Sequence, residues 1–163
     1  METLKNRLSF DEYGCFLALI GKSRSEDPFT QVGGVALDIN GRVLGVSYNG
    51  LKSGVSMPEW MKLEENRVKK SDLFIHCEAN LCALLLKGQC NTICLTQSPC
   101  IKCCQNIAAL DIKRVVYLKE YWRDSSFKDF LSFHNIEFIK LSEESKNKIK
   151  TYLFDMQRFT ELD

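Results

Sequence analysis

The chain is 163 residues long, 45% apolar and 26% charged, with a formal net charge of +1 at pH 7. That suits a single domain, 1–163, with a buried core. The balanced charge disfavours nucleic acid as a partner, since phosphate backbones select a basic footprint, and no apolar run is long enough to cross a bilayer.

Tyr13, Phe16, Leu17, Leu19 and Ile20 predict an apolar helix over 10–21, with Ser9 or Asp11 near its cap. Residues 31–38 read as a strand, Asn40-Gly41 as a two-residue hairpin turn, and 42–48 as the returning strand. Residues 49–73, with Gly50, Gly54, Pro58 and Trp60, form a loop long enough to imply a function. Its basic cluster, Arg67, Lys69 and Lys70, reads as solvated. Next, Ala79, Cys82, Ala83 and Leu86 recur at i, i+3, i+4 and i+7 before Gly88, predicting a helix with His76 and Glu78 in its first turn. Residues 92–96 are a short buried strand. Pro99 suits a first helical position, which places Cys100 and Cys103 in the first turn of a helix running to about 110. Then come a strand over 114–118, a helix over 127–133 introduced by Asp124, Ser125 and Ser126, a strand over 136–141, and a helix from 143 to about 158. The order α-β-β-α-β-α-β-α-β-α predicts an α/β fold, a three-layer α/β/α sandwich with a mixed five-stranded sheet.

Cys100 and Cys103, at i and i+3, share one helix face, and the positive end of the helix favours their thiolates. With His76 they offer three N/S ligands, leaving the fourth tetrahedral position of Zn²⁺ open, as catalytic zinc sites do. Glu78 adds a carboxylate two residues from the imidazole, which a structural zinc site has no use for. A lone C-x-x-C is equally a redox pair, and a lone His is usually structural. Both halves together, with Pro99 directly before Cys100, resemble the H-x-E…P-C-x-x-C signature of zinc nucleobase deaminases.

Four of the eight cysteines, Cys15, Cys82, Cys90 and Cys94, sit in apolar surroundings and read as small core residues. The opening residues, Met1 to Lys5, lack the apolar core of a signal peptide. A cytoplasmic, reducing compartment is therefore expected. His134, late in a helix, reads as structural.

From about Tyr13 to Asp124 the chain resembles the deoxycytidylate (dCMP) deaminases, a branch of the zinc-dependent cytidine deaminase superfamily. Residues Arg24-Ser25-Glu26-Asp27-Pro28-Phe29-Thr30-Gln31-Val32-Gly33 are similar to that family's Arg-Ser-x-Asp-Pro-x-Thr-x-Val-Gly stretch. Gly45-Val46-Ser47-Tyr48-Asn49-Gly50 is similar to its Gly-x-x-Tyr-Asn-Gly loop. Glu59-Trp60, Asn80 in His-x-Glu-x-Asn, and the Tyr117 to Tyr121 spacing complete the likeness.

The resemblance implies Zn²⁺ on His76, Cys100 and Cys103, activating water for attack on C4 of cytosine. Glu78 would carry a proton from the water to N3 and then to the departing amino group. The products would be ammonia and dUMP, the latter feeding dTMP synthesis. It assigns Asn49 to the sugar or base edge, Asn80 to the deoxyribose side, Arg24 and Ser25 to the 5′-phosphate, and Tyr121 to the pyrimidine face. Read singly, Asn49 is also a turn residue, Asn80 a surface helix position, Arg24 a helix C-cap and Tyr121 core packing. The Asn49–Gly50 loop takes part in binding dCTP (activator) and dTTP (inhibitor) in many family members, which assemble as homo-oligomers, hexamers foremost. Here Lys52 replaces a Pro of that loop, while Cys77 and Cys104 stand where Ala is usual. Cys104 is a rival to Cys103 as ligand, though the i+3 register favours Cys103. Two other functions stay open: a deaminase of a modified dCMP, a free nucleoside or another cytosine or adenine substrate, and a non-catalytic, zinc-stabilised nucleotide-binding protein.

Overall fold

Ser9 opens the first helix through a reciprocal capping box. Its hydroxyl accepts from Glu12 N at 3.2 Å, and Glu12 Oε2 accepts from Ser9 N at 2.7 Å. Such a cap contributes about 1 kcal/mol. The computed structural model describes residues 7–121 and 125–156. After α1 (Phe10–Lys22) come β1 (Gly33–Leu37), β2 (Val43–Tyr48), α2 (Arg67–Ser71), α3 (Cys77–Cys82), β3 (Thr92–Gln97), α4 (Ile101–Ala109), β4 (Arg114–Lys119), α5 (Phe127–Phe133), β5 (Glu137–Lys140) and α6 (Glu143–Met156). The helix-introducing Asp124 and the expected helix end at 158 lie outside the described residues.

The sheet order is β2-β1-β3-β4-β5, antiparallel along β2-β1-β3 and parallel along β3-β4-β5. Alternation along the strands fills two cores. Ala36, Ile93, Leu95, Val115 and Tyr117 face α3, α4 and α5. Val35, Leu37, Cys94, Val116 and Leu118 face α1 and α6. The mixed five-stranded α/β/α sandwich is the architecture expected from the element order.

Local details depart from the pattern reading, each for a packing reason. In α1 the buried residues include Cys15, Phe16 and Ala18 with two glycines, while Tyr13 and Ile20 are exposed. The helix lies almost against the strand: a Cβ on Gly33 would stand 2.0 Å from Ala18 O, so only small residues fit between them. The hairpin connection is longer than two residues. Asp38 N donates to Arg42 O at 2.9 Å, enclosing Ile39, Asn40 and Gly41, and Gly41 takes φ +78°. This is a type I turn closed by a left-handed glycine, with a register shift between Ala36 and Leu37.

The expected stripe on α3 is displaced as well. The helix buries Cys77, Glu78 and Leu81, whereas Ala83 and Leu86 are exposed. It closes early through Leu84 N to Leu81 O and Leu85 N to Cys82 O bonds, which turn Leu85 into the core instead. Segment 49–73 is not bare loop. It holds two 3₁₀ turns, Glu59–Lys62 and Glu64–Asn66, followed by α2. No helix among the described residues is long and apolar enough to cross a membrane.

Candidate active site

α3 and α4 pack against each other, and each begins at a candidate metal ligand. His76 is the N-cap of α3 (φ −66°, ψ 149°) and Cys100 the N-cap of α4 (φ −77°, ψ 167°). Both therefore stand just outside the helices rather than in the first turns, and Pro99 precedes the cap instead of opening the helix. Extended backbone at these caps lets the two side chains converge. His76 Nδ1 lies 3.3 Å from Cys103 Sγ and 3.5 Å from Cys100 Sγ, and the two sulfurs are 3.5 Å apart. Tetrahedral Zn²⁺ with ordinary Zn–N and Zn–S bonds spaces its ligand atoms at about 3.5–3.8 Å. The donor set and its closeness fit zinc.

Among the described residues, His76, Cys100 and Cys103 are the group of His, Cys and acidic side chains gathered closely enough to hold a metal ion. Cys104 is turned away, fully buried with Ile107 in the core behind α4. Cys77 packs with its Sγ 3.2 Å from Ser47 Oγ. None of the eight cysteines, all among the described residues, is in a disulfide; Cys15, Cys90 and Cys94 are buried as expected, and Cys82 is half-buried.

Electrostatics in the cluster follow from its contacts. The hydrogen bond with Cys103 pulls the Cys100 thiol down to about 4, and the neighbouring His76 adds to the effect. The same bond holds Cys103 up. A hydrogen bond with Cys100 raises the His76 imidazole, against the opposing effect of burial. Glu78 is 5% exposed, and burial raises its carboxyl above the ordinary range. The neighbouring Cys103, a candidate ligand, partly offsets that rise.

A cavity of about 310 Å³ opens over this cluster, lined by His76, Glu78 and Cys100 together with Asn49 and Tyr121. Tyr121 is fixed there by its N–H, which donates to Ser98 Oγ at 2.7 Å. Tyr117 is instead a core residue, packed edge-on to Phe127 at 5.6 Å.

Asn49 reaches the cavity with its amide already saturated. Oδ1 accepts from Ser25 Oγ and Val32 N, both at 2.7 Å. Nδ2 donates to Thr30 O at 2.8 Å and Asp27 Oδ2 at 3.2 Å. Ser25 is buried behind it, away from the cavity lining. Arg24 is exposed, 5.9 Å from the Tyr48 ring centroid, and also outside that lining. Asn80 donates to Tyr48 O at 2.9 Å, bracing α3 on β2. Gly50 and Ile75 exchange backbone bonds of 3.1 and 2.8 Å, tying the Asn49 loop to the residue before His76. His134 closes α5 with its ring 4.3 Å from that of Phe130.

The cavity wall also holds residues that the sequence reading does not pick: Asp27, Arg67, Lys70 and Lys119. Lys70 is 3% exposed and paired with Asp27, so the cluster at 67–70 is only partly solvated. The signal available was position: Arg67 and Lys70 share a helix face and sit on the segment leading into His76.

The family model described as the cytidine and deoxycytidylate deaminase zinc-binding region matches residues 9–119. The chain belongs to this family. The matched span contains the His76, Glu78, Cys100 and Cys103 cluster. Mouse deoxycytidylate deaminase is 27% identical over 124 residues, covering 72% of this chain and 69% of the mouse protein. A probable deoxycytidylate deaminase of Drosophila melanogaster is 27% identical over 175 residues, covering 98% and 83%. The apo crystal structure of dCMP deaminase from cyanophage S-TIM5 superposes with a TM-score of 0.65 at 24% identity, over 80% of this chain and 96% of that one. The shared fold is thus the cytidine deaminase-like sandwich.

Proposed function

We propose that the protein is a zinc-dependent hydrolase that converts dCMP and water to dUMP and ammonia. The observation that carries the reading is the convergence of His76, Cys100 and Cys103 on one point, where His76, Cys100 and the buried Glu78 line a cavity of nucleotide size. Membership of the family and likeness to the mouse deoxycytidylate deaminase support dCMP over other substrates.

His76, Cys100 and Cys103 would hold the metal. When bound, Zn²⁺ supplies the Lewis acidity that makes water nucleophilic near neutral pH. Glu78 takes a proton from the attacking water as its oxygen adds to C4, and gives it to N3. It then moves a second proton to the amino group, so that the C4–N bond breaks and ammonia leaves. A carboxyl whose affinity for protons is raised by burial suits a group that must hold one between steps. Tyr121, on the cavity wall, is suited to pack over the pyrimidine. Asn49 and Asn80 act by shaping the wall and by fixing α3 on the sheet.

The same reading includes assembly into homo-oligomers, with the hexamer favoured, and regulation by dCTP and dTTP at the Asn49–Gly50 loop. The Gly50–Ile75 pairing supports the second point, since it links that loop mechanically to His76. Eight cysteines without a disulfide suit a cytoplasmic, reducing compartment.

Ammonia release from dCMP, dCTP, deoxycytidine and CMP tests the proposal. Turnover of dCMP should fall by at least about 10²-fold in Glu78→Ala while zinc content is unchanged. Turnover of a different panel member alone would move the substrate. Bound zinc with no turnover of any member, before or after Glu78→Ala, would leave a nucleotide-binding protein.

A further inference from the structure

Two cations in the cavity wall take no part in holding a metal or the Asn49 loop. Arg67 on α2 and Lys119 at the end of β4 line the same cavity as His76, Glu78 and Cys100. Asp27, Lys70 and Glu120, also in the wall, are matched. Lys70 is paired with Asp27, both buried, and Glu120 is paired with Lys128 and Lys140. Among the described residues Lys119 makes no ion pair. Arg67 pairs with Glu64 at 3.1 Å, but Glu64 is 69% exposed, a surface contact of the weak class. Among the described residues, then, no buried carboxylate pairs with the positive charge at these two positions.

Their settings differ in a useful way. The Arg67 guanidinium lies 5.3 Å from the Phe29 ring centroid, and its Nη2 donates to Thr30 Oγ1 at 3.3 Å. Both partners belong to the turn that Asp27 Oδ1 fixes by accepting from Phe29 N and Thr30 N. The guanidinium is thus held in place with donors to spare, as a bidentate anion contact requires. Lys119 sits opposite Gln97 at the carboxyl edge of the parallel β3–β4 pair, and its carbonyl accepts from Ser98 N at 2.8 Å. Ligands in open α/β sheets bind at this edge. Lys119 also lines a second cavity with Lys22, whose wall, unlike the first, holds no carboxylate.

We infer that Arg67 and Lys119 together hold the 5′-phosphate of the nucleotide, and that they rather than Arg24 make the site select a nucleotide over a nucleoside. The inference rests on the dCMP reading above. A phosphate dianion would meet the planar guanidinium fork of Arg67 and the ammonium point charge of Lys119.

The test compares kcat/KM for dCMP and for deoxycytidine in wild type, Arg67→Ala, Lys119→Ala and the double variant, each loaded with zinc. Each single change should raise KM for dCMP by about 10- to 100-fold, the worth of a charge-assisted hydrogen bond. Turnover of deoxycytidine should shift less than about twofold. Lys119→Arg should keep most of the dCMP preference, and inorganic phosphate should compete with dCMP in wild type but not in the double variant. Equal losses on both substrates would mean a structural role and overturn the inference. So would an unchanged KM for dCMP, or a collapse of nucleotide preference in Arg24→Ala instead. If wild type turns over neither substrate, the dCMP reading fails separately. Calorimetric binding of dUMP against deoxyuridine in the same variants still decides whether Arg67 and Lys119 hold phosphate.

Discussion

Ser25 Oγ donates to Asn49 Oδ1 at 2.7 Å, joining the turn after α1 to the end of β2 inside the protein. Both residues belong to motifs that suggest substrate contacts, yet here they contact each other. Asp27 completes the clasp through Asn49 Nδ2, and Val32 N and Thr30 O occupy what remains of the amide.

An amide with both acceptor sites and both donors engaged is a structural keystone. Asn49→Ala should therefore destabilise the fold by about 3–4 kcal/mol, roughly one net kcal/mol per buried bond. Asn49→Asp should cost at least as much, because it turns an oxygen toward Asp27 Oδ2 and Thr30 O. Urea denaturation of the zinc-loaded protein measures both. A change below about 1 kcal/mol with a large rise in KM for dCMP would return Asn49 to direct substrate binding.

The legible part of the site is the part that is local in sequence. His76 and Glu78 are two residues apart, Cys100 and Cys103 three, and the chemistry of imidazole and thiolate narrows what such a set can do. What escapes a sequence reading depends on distant partners. Asn49 is saturated by groups 17 to 24 residues away, and Lys70 is buried by an acid 43 residues away. No pattern in 67–70 reveals that one of its lysines is inside. The mixed five-stranded sheet between helix layers was readable from the alternation of strands and helices. The face of α3 was not, because apolar residues on both sides of that short helix fit a helical period, and the early turn at Leu84 selects between them.

Acid should weaken the α1–α6 contact before it affects much of the sheet. Burial opposes ionisation of Glu12, but Ser9 N–H, Lys148 and the Ser145 hydroxyl outweigh it and hold the carboxyl below its ordinary 4.5. Lys148 Nζ lies 3.0 Å from Glu12 Oε2, and Ser145 Oγ 2.9 Å from Oε1. A carboxyl depressed in the folded state binds protons more readily when unfolded. Its contribution is therefore full above about pH 4.5 and is lost as pH falls through the lower folded value. Glu12→Gln should be less stable than wild type at pH 7, with the gap narrowing steadily below pH 4.5. Thermal unfolding across pH 3–7 measures it, and a gap that stays constant with pH would show that Glu12 acts through packing alone.

The buried pair in the cavity wall behaves differently. Lys70 and Asp27 are 3% and 4% exposed, and Lys70 Nζ also lies 4.3 Å from the Phe74 ring centroid. Removing one partner leaves the other charge inside, so Lys70→Met should cost about 3–5 kcal/mol. Neutralising the survivor should recover part of that. Asp27→Asn keeps an oxygen for Phe29 N and Thr30 N, and should cost less in the Lys70→Met background than alone. The double-mutant cycle should give a coupling of at least about 1 kcal/mol, because the two residues share one desolvated contact. Salt should change this coupling little, since counterions do not reach a pair so deeply buried. Additive losses would mean that the two side chains stabilise the wall separately, Asp27 through the turn it caps and Lys70 through its contacts with Phe29 and Phe74.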